Sequence, residues 1–296
     1  MTQLESLVES RRQFLALVAD LRPELHRYCA RMTGSIADGE DVVQETLARA
    51  YYALPEFPDT PELRPWLFRI AHNRALDFLR RYEHRMGQSM DAAPDIAGDD
   101  AEDPEDALAR EHAMHAAVSR FVELAPAQRS CVILKDVLGH SLDEIAALLE
   151  LSVAAVKAAL HRGRVRLRDE LANVAEIAAR PASPVVARYA ALFNARDWDG
   201  VRAMLADDVR LDLVQRSQRA GRREVGVYFT NYDHVSDWRL RPAWLEDREV
   251  LAVYREPGDA RPGYFIELTL VDDRVSVIRD FRYVSYVAHE AVFEFG

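Results

Sequence analysis

Cysteine is scarce in this 296-residue chain: Cys29 and Cys131 are its only two, far apart and outside any C-x-x-C pair. A disulfide framework or a zinc module needs more thiols at closer spacing, so neither is expected; two half-buried thiols in a reducing compartment are. No run of about 18 apolar residues occurs, which removes a membrane-spanning helix. The opening MTQLESLVESRRQF has no apolar stretch of the kind a secretory signal requires. No solenoid-type repeat is present. These absences point to the cytoplasm. What remains is ordinary globular composition, 49% apolar and 29% charged, at a length that suits two or three domains.

The net charge of −11 argues against nucleic acid until it is divided along the chain. Residues 86–106 hold eight acidic residues and no basic one, whereas residues 1–85 set twelve basic against thirteen acidic and residues 107–180 ten against nine. One short stretch carries most of the excess. Basic residues gathered on particular faces therefore remain available to a polyanion.

The pattern divides the chain in four. Residues 12–85 keep a helical apolar period, with Pro55, Pro58, Pro61 and Pro65 punctuating one loop between two long helices. Residues 86–106, acidic and poor in large apolar groups, read as a flexible linker. Residues 107–178 are helical again. Pro181 and Pro184 mark a boundary, and residues 184–296 change character: two short helices, then alternating runs such as VLAVY, YFIELTLV and VSVIRDFRYVSYV, which read as strands. Turns are expected at Glu256–Asp259 and Asp272–Arg274. The fold class is two all-α domains followed by an α+β domain.

Ser141-Leu-Asp-Glu144 has the form of a capping box opening one helix, and Ser152 is placed to cap the next, from about Val153 to Leu171. Val156, Leu160, Leu167 and Leu171 form the buried stripe of that second helix. Lys157, His161, Arg164 and Arg168 form another stripe, flanked by Arg162 and Arg166. Two short helices, the second basic on one side, are what a helix-turn-helix needs to enter a major groove and hold phosphates. A solvated basic face on a structural helix gives the same pattern. Ala154, Ala155, Ala158 and Ala159 near the groove end offer only shape and methyl contacts.

In DGEDVVQETLARAYYAL, Val43, Leu47, Ala50 and Leu54 face inward, while Asp41, Gln44, Glu45 and Ala48 share an outward face suited to a basic partner; ordinary solvation of a charge cluster gives the same pattern. In RPWLFRIAHNRALDFLRRYEHR, Leu67, Ile70, Ala71 and Phe78 line one side. Trp66, Arg69, Asn73, Asp77 and Arg80 line another, with Arg81 and His84 beside them. Rings that stack on bases and cations that track phosphates are the means of holding a single strand. A core Trp beside a solvated basic face is the plainer alternative.

These two segments, together with LAPAQRSCVILKDVLGHSLDEIAALLELSVAAVKAALHRGRVRLRDEL, resemble regions 2 and 4 of bacterial extracytoplasmic-function sigma factors, over residues 12–85 and 112–172 and in that order. The resemblance implies that Asp41, Gln44, Glu45 and Ala48 dock on core RNA polymerase. It implies that the 55–65 loop and the helix carrying Trp66, Arg69, Asn73, Arg80 and Arg81 read and open the −10 element. The helix bearing Ser152, Ala155, Lys157, Ala158, His161, Arg162, Arg164 and Arg168 would read the −35 element. Many relatives carry Ser-Arg where this chain has Ala158-Ala159, so direct readout there would differ.

The order of elements after Pro184 resembles the SnoaL-like branch of the NTF2-like cone, whose pocket between sheet and helices admits a small ligand or an enzyme site. Enzymes of that kind use paired Asp and His. Asp212, Asp280 and His289 are the candidates here, but their spacing supports no dyad, and a strand with one polar face accounts for Asp280 and Arg282. The combined expectation is a sigma factor with an appended regulatory cone, without catalysis, cofactor, metal or membrane. Its partners would be core polymerase, promoter DNA, and a small ligand or partner at the cone. The alternative is a ligand-binding or enzymatic cone tethered to DNA by the helix-turn-helix. The Asp41-Gln44-Glu45 face separates the two, because a mere tether has no use for it.

Overall fold

The computed structural model describes residues 3–53, 62–86, 105–172, 180–230, 232, 238–256 and 258–295. The expected loop at Pro55, Pro58 and Pro61, most of the acidic linker and Leu54 lie outside them. The chain divides into two compact units, Met1–Ala175 and Glu176–Gly296.

The first unit is helical: α1 Gln3–Thr33, α2 Ile36–Ala53, α3 Leu63–Met86, α4 Glu105–His115, a 3₁₀ turn at Val118–Glu123, α5 Pro126–Val132 running into a π turn at Ile133–Val137, α6 Leu142–Leu149 and α7 Val153–Ala172. Pro65 sits in the first turn of α3 rather than in the loop, where its missing N–H costs nothing. Met86 likewise belongs to α3, and Glu105 and Asp106 to α4, so the expected linker is shorter at both ends. Ser35 Oγ accepts from the Asp38 N–H to start α2. α2 then lies so close to α1 that a Cβ at Gly39 would stand 2.5 Å from the Ala30 backbone. The Arg22–Glu40 ion pair, almost wholly buried, ties the same two helices.

One buried cluster runs through the whole unit, from Phe14, Leu25, Tyr28 and Met32 of α1 through Leu67 and Phe68 of α3 to Val132, Ile145, Val156, Leu160 and Leu167. The helices on the two sides of the acidic stretch therefore share a core. Gly163 of α7 permits close approach to α5: a Cβ there would meet Val132 Cγ2 at 2.7 Å.

The second unit opens with α8 Pro184–Asn194, capped by Ser183, and α9 Trp198–Ala203, capped by Asp197. The strands are β1 Leu205–Leu213, β2 Ser217–Ala220, β3 Arg239–Leu245, β4 Arg248–Tyr254, β5 Tyr264–Val271, β6 Arg274–Asp280 and β7 Phe293–Glu294, with α10 Arg222–Thr230 and α11 Tyr286–His289. They form one sheet in the order β2-β1-β6-β5-β4-β3-β7. β3 to β6 are consecutive antiparallel neighbours, as expected, but β1 runs parallel to β6. Asp272 and Asp273, both at positive φ, make the tight β5–β6 turn. The alternation of VSVIRDFRYVSYV suggests one strand throughout. It ends at Asp280, because Asp280 Oδ1 accepts from the Arg282 N–H at 2.9 Å and turns the chain, and α11 follows. α8, α9 and α10 cover one face of the sheet around Tyr189, Phe193, Val201, Phe229, Leu251, Val253 and Ile266. This is the expected α+β cone.

Candidate functional site

The outward face of α2 is built by its core face. Val42, Val43, Thr46, Leu47 and Ala50 are buried, which turns Glu45 and Ala48 fully outward and leaves Asp41 and Gln44 half-buried beside them. All four residues assigned to polymerase share this surface. Tyr52, 76% exposed and one turn beyond Ala48, extends it. Helical projection alone would have found Tyr52.

α3 presents a wider stripe to the core than expected. Leu67, Phe68, Ala71, Ala75 and Leu79 are buried, while Ile70 and Phe78 are half-buried. Their spacing of three to four makes the continuous stripe; Phe78 lies at its margin and stacks on Tyr82, with ring centroids 6.5 Å apart. Trp66 is half-buried and packed against the core. Arg69, Asn73, Arg80, Arg81 and Tyr82 are exposed. Arg80 reaches Asp77 at 3.4 Å, and Arg81 reaches Glu45 at 3.6 Å, so the α2 and α3 faces adjoin. The side chain of His84 lies outside the described residues. Tyr82, which the sequence reading passed over, adds an exposed ring among the cations.

The helix-turn-helix forms as the capping residues dictate. Ser141 Oγ accepts from the Glu144 N–H at 3.2 Å, and the Glu144 carboxylate accepts from the Ser141 N–H at 2.7 Å. Those bonds hold the Glu144 carboxyl below its usual pKa. Ser152 Oγ accepts from the Ala155 N–H at 3.1 Å and starts α7. Val156, Leu160 and Leu167 are buried, with Leu171 packed on the core. Along α7, Ser152, His161 and Arg168 are exposed, and Ala155, Lys157 and Arg162 are half-buried. Two residues are placed elsewhere. Ala158 is buried, and Arg164 forms a bidentate pair with the buried Asp136, at 2.9 and 2.6 Å.

Three contacts, two polar and one between rings, join α1–α3 to the segment carrying the helix-turn-helix. Arg129 of α5, 1% exposed, donates to the carbonyls of Met32, Val122 and Leu124. Tyr28, His72 and Ser130 meet in a hydrogen-bonded triad, with Tyr28 Oη 2.8 Å from His72 Nδ1 and 3.1 Å from Ser130 Oγ. Burial holds the His72 pKa at about 4, so the ring is neutral near pH 7. The His140 ring stands edge-on to Phe68, 5.4 Å away. Arg129 lies in a helix whose sequence gives it no special period, so nothing local marks it. Both thiols are fully buried, not half-buried, and burial pushes the Cys131 pKa up to about 12 and that of Cys29 higher still.

In the cone, Asp212, Asp280 and His289 do not form a site together. Asp212 reaches Arg279 at 3.6 Å and accepts from Gln218 at 3.4 Å. His289 is exposed at the end of α11. Asp280 does not belong to a solvated polar face: it is fully buried. Its Oδ2 accepts from Tyr228 at 2.6 Å, and burial raises its pKa. Among the described residues no group of three or more His, Cys, Asp or Glu side chains is arranged to hold a metal, and no helix is long and apolar enough to cross a membrane.

Comparison with known proteins matches these surfaces to a family. Residues 17–85 match Sigma-70 region 2 and residues 118–167 match Sigma-70 region 4. The extracytoplasmic-function RNA polymerase sigma factor SigG of Mycobacterium tuberculosis is 36% identical over 217 residues, 64% of this chain and 58% of SigG. The chain thus spans little more than half the length of that relative. The RNA polymerase sigma factor CarQ of Myxococcus xanthus is 32% identical over 164 residues, 54% of this chain and 90% of CarQ. The crystal structure of the M. tuberculosis extracytoplasmic function sigma factor SigJ aligns with 92% of this chain and 98% of its own, at 23% identity and a TM-score of 0.36. With region 2 on α1–α3, region 4 on the segment ending in α7, and relatives of this identity and coverage, the chain belongs to the extracytoplasmic-function family of RNA polymerase sigma factors.

Proposed function

We propose that this protein binds core RNA polymerase through the α2 face, recognises promoters through α3 and α7, and helps separate the strands at the −10 element. The observation that carries this reading is the Asp41-Gln44-Glu45-Ala48 surface. It is acidic, outward-facing and adjoins the Arg80–Arg81 end of α3, so polymerase docking and strand capture are neighbours on one unit. At the −35 element, Ser152, Ala155, Lys157, His161, Arg162 and Arg168 carry the contacts in this arrangement; Ala158 and Arg164 join them only if α7 repacks. The cytoplasm is the compartment this activity requires.

The test is transcription in vitro with purified core polymerase on promoters recovered by genomic pull-down. Specific initiation dependent on the protein is expected. Asp41→Arg with Glu45→Arg should abolish co-purification with core polymerase, because reversed charges meet the partner with repulsion. Retained binding by that variant removes the α2 assignment.

The cone modulates this activity and carries no catalysis of its own. Truncation after Arg180, at the start of the second unit, should leave core binding intact and change transcription strongly. Unchanged transcription by the truncated chain, with turnover of a substrate by the full chain, would favour the cone as an independent enzyme.

A further inference from the structure

We propose that the surface of the second unit carries an arginine strip, Arg216–Arg282–Arg255, that holds the phosphate backbone of duplex promoter DNA next to the −35 element, in addition to the contacts of α3 and α7. The proposal rests on the reading of α7 as the −35 helix and goes beyond it by giving the second unit a nucleic-acid surface of its own.

The three guanidinium groups are held by rings and not by carboxylates. Arg216, in the turn between β1 and β2, lies over the exposed ring of Tyr283 at 4.6 Å, and Arg282 stands by the same ring at 5.8 Å. Arg282 also lies over Trp238 at 4.5 Å. Arg255, just after β4, stands by that indole at 5.8 Å and by the Tyr264 ring at 5.3 Å. A shared ring therefore links each cation to the next. Arg216 and Arg255 are exposed and Arg282 is half-buried. None of the three forms an ion pair among the described residues, although Arg282 feels the charge of the buried Asp280. Arg202, Arg222, Arg248 and Arg279 of the same unit all pair with carboxylates. The strip continues into the hairpin: residues 213–223 hold four arginines and no acidic residue, and all four residues of the edge strand β2, Arg219 included, are exposed.

A guanidinium stacked on a ring is already ordered, so less freedom is lost when it binds, and its planar fork of donors fits a phosphate by two parallel hydrogen bonds. With the rings already carrying guanidiniums, the strip suits backbone phosphate better than base stacking, and backbone contacts position a duplex without reading its sequence. An acidic protein surface offers the same charge; the tether favours DNA. Trp244 Nε1 donates to the Arg180 carbonyl at 3.0 Å, and the Ser183 N–H donates to Glu249 at 2.6 Å, so the chain is already fastened to the second unit from Arg180 onwards. Only residues 173–179 separate that point from the end of α7. A short tether keeps the strip at high effective concentration around whatever DNA α7 holds.

The test uses holoenzyme assembled from the full chain and core polymerase on a promoter fragment with duplex on both sides of the −35 element. Hydroxyl-radical footprinting should show protected backbone next to that element. Arg216→Gln with Arg255→Gln should remove this flanking protection and leave the −35 and −10 footprints in place. Affinity should fall about tenfold, and the slope of log affinity against log salt should shrink by about two, one for each lost phosphate contact. Tyr283→Leu keeps every cation but removes the ring that orders two of them; affinity should fall about threefold with the salt slope unchanged. Flanking protection and affinity unchanged in the double variant overturn the proposal. So does a loss of core-polymerase binding by that variant, which would assign the strip to a protein partner. Absence of a −35 footprint in the parent would remove the reading of α7, and the proposal with it.

Discussion

The helical unit and the cone both bury polar groups, and they finish them differently. In the helical unit the buried charges have partners: Arg22 with Glu40, Arg164 with Asp136, and Arg129 with three carbonyls. Such groups fix how helices from distant parts of the chain meet. They are costly to break, because removing one partner strands the other in a dry interior. In the cone the buried groups are phenols around one carboxyl, with Tyr228 and Tyr232 donating to Asp280. The contrast separates charges paired across distant helices from neutral hydroxyls gathered on one buried carboxyl.

Arg129→Ala tests the first half of that contrast most severely. It leaves the Met32, Val122 and Leu124 carbonyls short of a donor, and we expect a loss of about 3–5 kcal/mol in urea unfolding of the full chain. A loss below about 1 kcal/mol would mean that Arg129 does not hold the two helical halves together.

Acid should act on the same junction. The His72 pKa is held at about 4, below its ordinary 6.5, because burial disfavours the charged ring. Between those values the unfolded chain binds more protons than the folded one, so stability is full above about pH 6.5 and falls as pH drops towards 4, by about 3 kcal/mol. His72→Phe should flatten this part of the pH profile. A parent and variant with the same slope would place the acid sensitivity elsewhere.

Arg80→Ala with Arg81→Ala probes cations of the opposite kind, exposed and weakly paired. Stability should scarcely change. Open-complex formation should fall about tenfold, more than closed binding, and a preformed-bubble template should rescue it. Equal defects on bubble and duplex templates would assign both residues to general phosphate contact.

The smallest effects lie in the cone. Tyr228→Phe removes a donor from a buried carboxyl and should cost about 1–2 kcal/mol, whereas Tyr189→Phe removes a hydroxyl with no partner and should cost less than about 0.5 kcal/mol. Equal losses at the two positions would erase the distinction between paired and open hydroxyls.

Much of this molecule is written locally. Ser141 and Glu144 specify a helix start by hydrogen bonds three residues apart, and Ser152 does the same for α7, so the helix-turn-helix is legible before any tertiary contact is known. The outward placement of Asp41, Gln44, Glu45 and Ala48 follows from the period of Val43, Leu47 and Ala50. Strand alternation locates β4, β5 and β6 to within a few residues. What local pattern misjudged is equally specific. It ran β6 on through Val287, since alternation cannot show that the Asp280 side chain will cap its own strand. It could not show that Arg164 pairs with Asp136, since a basic stripe looks the same whether a cation meets solvent or a buried carboxylate 28 residues earlier.

The sequence by itself determined the helices and their caps, the two outward faces of region 2, the helix-turn-helix and the change to a strand-rich cone, because each rests on spacings within one element. Only the tertiary structure decided that the helices on both sides of the acidic stretch share one core, that Arg129 and the Tyr28–His72–Ser130 triad fasten them, and that Tyr228 and Tyr232 meet at Asp280. Those outcomes depend on which faces of distant elements complement one another, and no periodicity within a single element carries that information.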